Sequence, residues 1–127
     1  MDEKTVLVIE DDELNMKLVR EILLLGPYKP IEAPDAETGI SFARKYRPDL
    51  ILMDVHLPKM DGLSATRLIL DDEDLREIPV VALTALAMPE DRQKALEAGC
   101  VAHVTKPFEV MALLDLIGDL LKSKTDK

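Results

Sequence analysis

Five short runs of aliphatic and β-branched residues, separated by longer stretches of helical period, constrain this chain more than any other feature. Parallel strands need a crossover of a dozen or more residues between them, so this alternation predicts a parallel sheet wrapped by helices. Strands are expected at about 5–9, 29–33, 50–54, 79–83 and 101–104. The runs Leu50-Ile51-Leu52-Met53 and Val80-Val81-Ala82-Leu83 lack polar alternation, as strands covered on both faces do. The first, third and fourth strands are therefore central. Pro30 cannot donate to a ladder, which assigns the second strand to an edge.

Helices fill the intervals. Asp12 is placed to cap a helix through Leu25, with Leu14, Leu18, Ile22 and Leu25 recurring on one face and Gly26-Pro27 stopping it. Asp35 caps a second helix to about Tyr46, ended by Pro48. A third begins near Gly62 and frays in the acidic run 71–74. Pro89 suits the first turn of a fourth, which Gly99 closes. The last, about 109–122, turns Val110, Leu113, Leu114, Ile117 and Leu121 to the core, leaving Met111, Leu116 and Leu120 as surplus apolar surface of the kind that marks partner sites. The remainder, 123–127, is expected to be a loose polar tail. One domain, residues 1–127, accounts for the whole chain.

Several function classes are disfavoured. With 25 acidic against 16 basic residues the net charge is −9, opposite to what phosphate backbones require, and 3% aromatic residues leave few platforms for stacking bases. Nucleic acid is not an expected partner. No apolar run approaches the roughly 18 residues needed to span a bilayer, so membrane insertion is not expected, and the acidic start Met1-Asp2-Glu3-Lys4 lacks a signal segment. The expected location is cytoplasmic. Cys100 is a lone cysteine, which excludes a disulfide framework. Glycines at 26, 39, 62, 99 and 118 fit neither Gly-rich phosphate loop.

Ligands of open parallel sheets bind beyond the carboxyl ends of the strands. Glu10, Asp11 and Asp12 follow the first strand, Asp54 ends the third, Thr84 follows the fourth, and Lys106 follows the fifth. Taken singly, an acidic triplet before a helix is an ordinary solvated cap, and Lys106 an ordinary surface lysine. Four strands delivering polar groups to one rim are harder to dismiss, and a carboxylate closing a buried run needs a partner. Glu10, Asp11 and Asp54 crowded together repel unless a cation or proton intervenes. An all-oxygen set selects a hard divalent ion, Mg²⁺, or Mn²⁺ in its place, over zinc. With Lys106 and the Thr84 hydroxyl opposite, the rim forms an electrostatic cradle for a phosphoryl group, and Asp54 becomes the natural nucleophile, giving an aspartyl phosphate.

Over nearly its whole length the sequence resembles the receiver domains of two-component response regulators. The matching stretches are Val6-Leu7-Val8-Ile9-Glu10-Asp11-Asp12, Pro48-Asp49-Leu50-Ile51-Leu52-Met53-Asp54, Leu57-Pro58 with Met60-Asp61-Gly62, Pro79-Val80-Val81-Ala82-Leu83-Thr84-Ala85, and Lys106-Pro107-Phe108. The stretch 12–18 resembles that of DivK-type single-domain regulators. This resemblance implies an α/β, flavodoxin-like (CheY-like) doubly wound sheet of five parallel strands in order 2-1-3-4-5, with five helices in three α/β/α layers. It implies Asp54 as phosphoacceptor, Glu10, Asp11 and Asp54 as Mg²⁺ ligands together with the backbone carbonyl of His56, Thr84 as switch hydroxyl, Lys106 as phosphoryl-binding lysine, and a cis bond before Pro107. Asp12 is expected to cap rather than ligate.

The family likeness further implies a phosphohistidine donor, either a sensor histidine kinase or a histidine phosphotransfer protein, with Asn15, Met16 and Val19 of the first helix as candidate docking residues. A downstream protein target would engage the fourth helix, fifth strand and fifth helix. No effector module is expected after Lys122, and the chain is expected to be a monomer or weak homodimer. Such a domain is not an enzyme in the usual sense, although it catalyses its own phosphoryl transfer and slow self-dephosphorylation. His56 and Leu86 occupy positions that tune the phosphoryl lifetime. One departure matters: receivers carry Tyr or Phe three residues before the lysine, and this chain has His103, either a titratable switch residue or a filler of a half-buried strand position. Two competing readings fit the residues less well. Haloacid-dehalogenase-type phosphatases need a second acid where His56 stands; a degenerate receiver acting only as an interaction module would have no need of Asp54, Thr84 and Lys106.

Overall fold

Apolar residues at every position of a strand require cover on both sides, and the chain supplies it. The computed structural model describes residues 4–84, 89–106 and 108–125. Its elements are β1 (Lys4–Ile9), α1 (Glu13–Leu25), β2 (Tyr28–Ala33), α2 (Ala36–Tyr46), β3 (Leu50–Asp54), α3 (Gly62–Asp71), β4 (Val80–Thr84), α4 (Pro89–Ala98), β5 (Ala102–Thr105) and α5 (Val110–Thr125). All strand pairs are parallel, in the order β2-β1-β3-β4-β5. This is the expected doubly wound α/β/α architecture, with β1, β3 and β4 central and the Pro30-bearing strand at an edge.

Strand periodicity divides the interior into two cores. Leu7, Ile9, Ile51, Met53, Val80 and Ala82 face one side, where α2, α3 and α4 add Ile40, Ala43, Ile69 and Ala95. Val6, Val8, Leu50, Leu52, Val81 and Leu83 face the other, against Val19, Leu23, Leu113 and Ile117 of α1 and α5. The direction in which successive strands are added to the sheet reverses between β1 and β3, so a crevice opens at their carboxyl ends. The helices are positioned by carboxylate caps. Asp12, Asp35 and Asp61 are N-caps whose side chains accept the amides of Leu14, Thr38 and Ser64.

Four expectations require adjustment. Leu14, Leu18 and Leu25 of α1 do lie on one helix face, but it is the outer one: Leu14 is 78% and Leu25 72% exposed, while Met16, Val19, Ile22 and Leu23 are buried. This helix carries two apolar stripes, and the phase set by the Asp12 cap, with the Arg20 to Glu32 ion pair tying α1 to β2 (2.5 Å), selects the Met16/Val19 stripe for the core. Met16 and Val19 are consequently not available as docking residues. The β4 and β5 strands each sit one residue later than expected, because Pro79 has no amide for the ladder and Val101 turns half out to solvent. In α5, Met111 is exposed, whereas Leu116 and Leu120 are half-buried against the second core. Finally, α5 runs to Thr125, beyond the expected helix end near Lys122. The expectations concerning Leu86 and the bond before Pro107 lie outside the described residues.

Candidate functional site

β1, β3, β4 and β5 each carry a polar residue at or just past the carboxyl end, and the parallel register brings those residues to a common rim. Asp54 is the last residue of β3 and 3% exposed; Glu10 directly follows β1 and is 2% exposed. Thr84 closes β4 and is buried. Lys106 follows β5, and its amide donates to the Thr84 carbonyl (2.7 Å), which locks the lysine backbone to the end of β4.

The side chains converge as their charges require. The Lys106 ammonium lies 3.0 Å from Glu10 Oε1 and 3.5 Å from Asp54 Oδ1. Asp54 Oδ1 also accepts the His56 amide (3.1 Å), and Glu10 Oε2 accepts the Asp12 amide (3.1 Å). Oxygen atoms of Glu10, Asp11 and Asp54 can all lie within 4.8 Å of one another, with Asp11 exposed at the mouth. Asp12 is turned away as the α1 cap and accepts the Asn15 side-chain amide (2.9 Å), so it does not join the cluster.

The charge balance is incomplete. Three ionised carboxylates and one ammonium leave two negative charges in a mostly buried space. Glu10 registers the imbalance: burial, then its hydrogen bond with Asp54, push its carboxyl up to about 7, against the opposing pull of Lys106 and the Asp12 amide. Buried Glu10 Oε1 has the ammonium nearby but no aligned hydrogen bond. An oxygen-only donor set with an under-satisfied buried atom and an excess of two negative charges fits a hard divalent cation.

Gly62 is a positioning residue, a role that linear order does not reveal. A Cβ there would sit 2.1 Å from the Asp54 carbonyl oxygen, and its amide donates to the Val55 carbonyl (3.0 Å). The loop after Asp54 is thereby held against the strand end. Lys59 takes a left-handed conformation (φ 67°) where that loop turns. His103 is half-buried on β5 opposite Ala82, and its ring borders a cavity shared with Thr84 and His56. The sequence-predicted residues Glu10, Asp11, Asp54 and Lys106 are thus brought together, Thr84 stands on the same rim, and His103 lies on the cavity side of it.

Comparison with known proteins gives a consistent result. The response regulator receiver domain family matches residues 6–118. The polar-differentiation response regulator DivK of Brucella anthropi is 42% identical over 118 residues, spanning 93% of this chain and 96% of the relative; DivK of Brucella ovis matches to the same extent. Among solved structures, the receiver domain of a sensor histidine kinase of Pseudomonas aeruginosa, which has magnesium coordinated in its active-site cleft, superposes with a TM-score of 0.88 at 33% identity and covers 94% of this chain and 98% of that one. The receiver domain of a signal transduction histidine kinase of Syntrophus aciditrophicus gives 0.89 at 31% identity, covering 98% and 94%.

Proposed function

This chain belongs to the response regulator receiver domain family, and from that premise we propose that Asp54 accepts a phosphoryl group from a phosphohistidine of a sensor histidine kinase or histidine phosphotransfer protein. The observation that carries the proposal is Asp54 itself, a buried carboxylate within 3.5 Å of an ammonium and beside two further acids. An Asp54 oxygen attacks phosphorus, the P–N bond to the donor imidazole breaks as the P–O bond forms, and the imidazole leaves with a proton. Glu10, Asp11, Asp54 and the backbone carbonyl of His56 are the residues that would hold Mg²⁺ or Mn²⁺, whose chemistry is to neutralise the phosphoryl oxygens.

The chain's own side chains do the rest. Lys106, anchored on β5, offsets the negative charge that the phosphoryl group brings. Thr84, tied through its carbonyl to the Lys106 amide, offers a hydroxyl for a phosphoryl oxygen, so that capture of the group pulls on β5. His103 on that strand borders open space into which its ring can turn, a switch role in the place of the family's aromatic residue. Slow hydrolysis of the acyl phosphate at the same site returns the resting state. The face formed by α4, β5 and α5, with Leu96, Val101 and Met111 exposed, is assigned to the downstream protein target. Exposed Leu14 and Leu18 of α1, beside the acidic rim, are assigned to the phosphodonor.

Incubation with acetyl phosphate and Mg²⁺ followed by intact-mass measurement tests the proposal. Wild type is expected to gain one phosphoryl group and Asp54→Asn none. Equal labelling of both proteins, or labelling of neither, would remove Asp54 from the role; the second outcome would favour an interaction module lacking phosphoryl chemistry.

A further inference from the structure

On the α3, α4 and β5 side of the rim lies a cavity of about 370 Å³. Ala82 on β4 and Ala95 on α4 both border it, and the residues that α4 sends into the core are the alanines Ala95 and Ala98. Ala82 and Ala95 are almost fully buried and form the closed floor of the space.

The wall of that space is cationic. Arg67 of α3 and Lys94 of α4 both border it, and neither makes an ion pair or hydrogen bond with a described residue. By contrast Arg20, Arg44, Arg47 and Lys106 each pair with an acid. Two cations that make no hydrogen bond or close ion pair with a described residue border one cavity in a chain of net charge −9. His56 and His103 add ring N–H donors, and Thr84 a hydroxyl. Asp61 is the acid among these lining residues, but it is committed elsewhere. Its two oxygens accept the Ser64 amide (2.9 Å) and hydroxyl (3.1 Å) as the α3 cap, so it attracts Arg67 by charge without a hydrogen bond and leaves the guanidinium fork open.

We propose that this cavity is a binding site for a small phosphate monoester, with Arg67 and Lys94 gripping the phosphate and the half-buried Val55 and Leu63 receiving its carbon portion. A guanidinium fork, an ammonium and ring N–H groups offer more donors than the two oxygens of a carboxylate can use, and suit the three terminal oxygens of a phosphate. The volume lies at the lower end of small-molecule sites, which run from about 300 to 1,000 Å³, and so selects a ligand the size of a sugar phosphate over a dinucleotide. The site adjoins the Asp54 pocket, sharing Thr84 and His56 with it, and does not rest on phosphoryl transfer there. Because Thr84 and His56 border the cavity while belonging to the Asp54 rim, occupancy at one place is linked to events at the other, and the linkage acts equally in both directions.

Amide NMR titration without Mg²⁺, using inorganic phosphate and ribose 5-phosphate as probes, tests the proposal. The expected result is saturable shifts at Arg67, Lys94 and His103, tighter for ribose 5-phosphate than for inorganic phosphate. The same titration is expected in Asp54→Asn, which separates this site from the phosphoryl pocket. The double variant Arg67→Gln with Lys94→Gln should bind at least tenfold more weakly. Both side chains are exposed, and an unchanged amide spectrum elsewhere shows that the fold is kept. Recovery of part of the affinity in Arg67→Lys alone would further support the charge assignment. Shifts that never saturate, that centre on Lys106, or that persist unchanged in the double variant would overturn the proposal. Equal affinity for the two probes would overturn the monoester assignment.

Discussion

Replacing Glu10 by Gln isolates the energetic consequence of crowding three acids at one rim. The carboxyl of Glu10 is displaced from 4.5 to about 7, mainly by burial. Each pH unit of displacement is worth about 1.4 kcal/mol, so holding this group ionised in the folded chain costs roughly 3 kcal/mol relative to the unfolded one. The sign follows from proton binding. Below 4.5 both states carry the proton and the fold is unburdened; between 4.5 and about 7 only the folded state retains it, so stability falls as pH rises through that window. Gln is uncharged throughout and its carbonyl can still accept the Asp12 amide. The Lys106 ammonium loses one partner but keeps Asp54. Glu10→Gln is therefore expected to stabilise the metal-free protein by about 2 kcal/mol at pH 8 and by almost nothing at pH 4.5. Urea unfolding at the two pH values, without Mg²⁺, measures this as a midpoint shift at constant slope. Added Mg²⁺ should stabilise wild type at pH 8 far more than the variant. Equal stabilisation at both pH values, or destabilisation at pH 8, would refute the account of the cluster.

Two further outcomes test the framework around the site. Gly62→Ala places a methyl group against the Asp54 carbonyl and should cost at least about 2 kcal/mol in urea unfolding; a loss below about 0.5 kcal/mol would show that Gly62 does not hold the loop. Leu14→Asp with Leu18→Asp should leave stability within about 1 kcal/mol while slowing phosphoryl transfer from a phosphohistidine donor at least tenfold, with acetyl phosphate labelling unchanged. Val19→Asp, buried in the core, should instead unfold the chain. The reverse pattern would restore the expected α1 orientation.

Much of this architecture was legible in the residues, for identifiable reasons. Continuous apolar runs at 50–53 and 80–83 located the covered strands, and Asp12 and Asp35 marked helix starts because short carboxylates satisfy amides that a helix leaves open. Glu10, Asp54 and Lys106 were legible because a parallel sheet sends all its strand ends to one rim. The orientation of α1 was not: residues 14, 18, 22 and 25 form as regular a stripe as 16, 19, 22 and 23, and periodicity has no means of choosing between them. Nor could linear order reveal the Gly62 contact or the cavity that Ala82 and Ala95 border, which exist only once a loop or helix has folded onto a strand. Spacing likewise cannot tell whether Arg67 and Lys94 face each other's space or open solvent.

The five-stranded sheet also acts as a partition. Because adjacent residues of β1, β3 and β4 point into opposite cores, no buried side chain of one chamber replaces a void in the other. Packing changes beneath α1 and α5 should combine additively with changes beneath α2, α3 and α4. Sequence drift can therefore remodel one compartment while the other keeps its fit, leaving the polar rim between them in register.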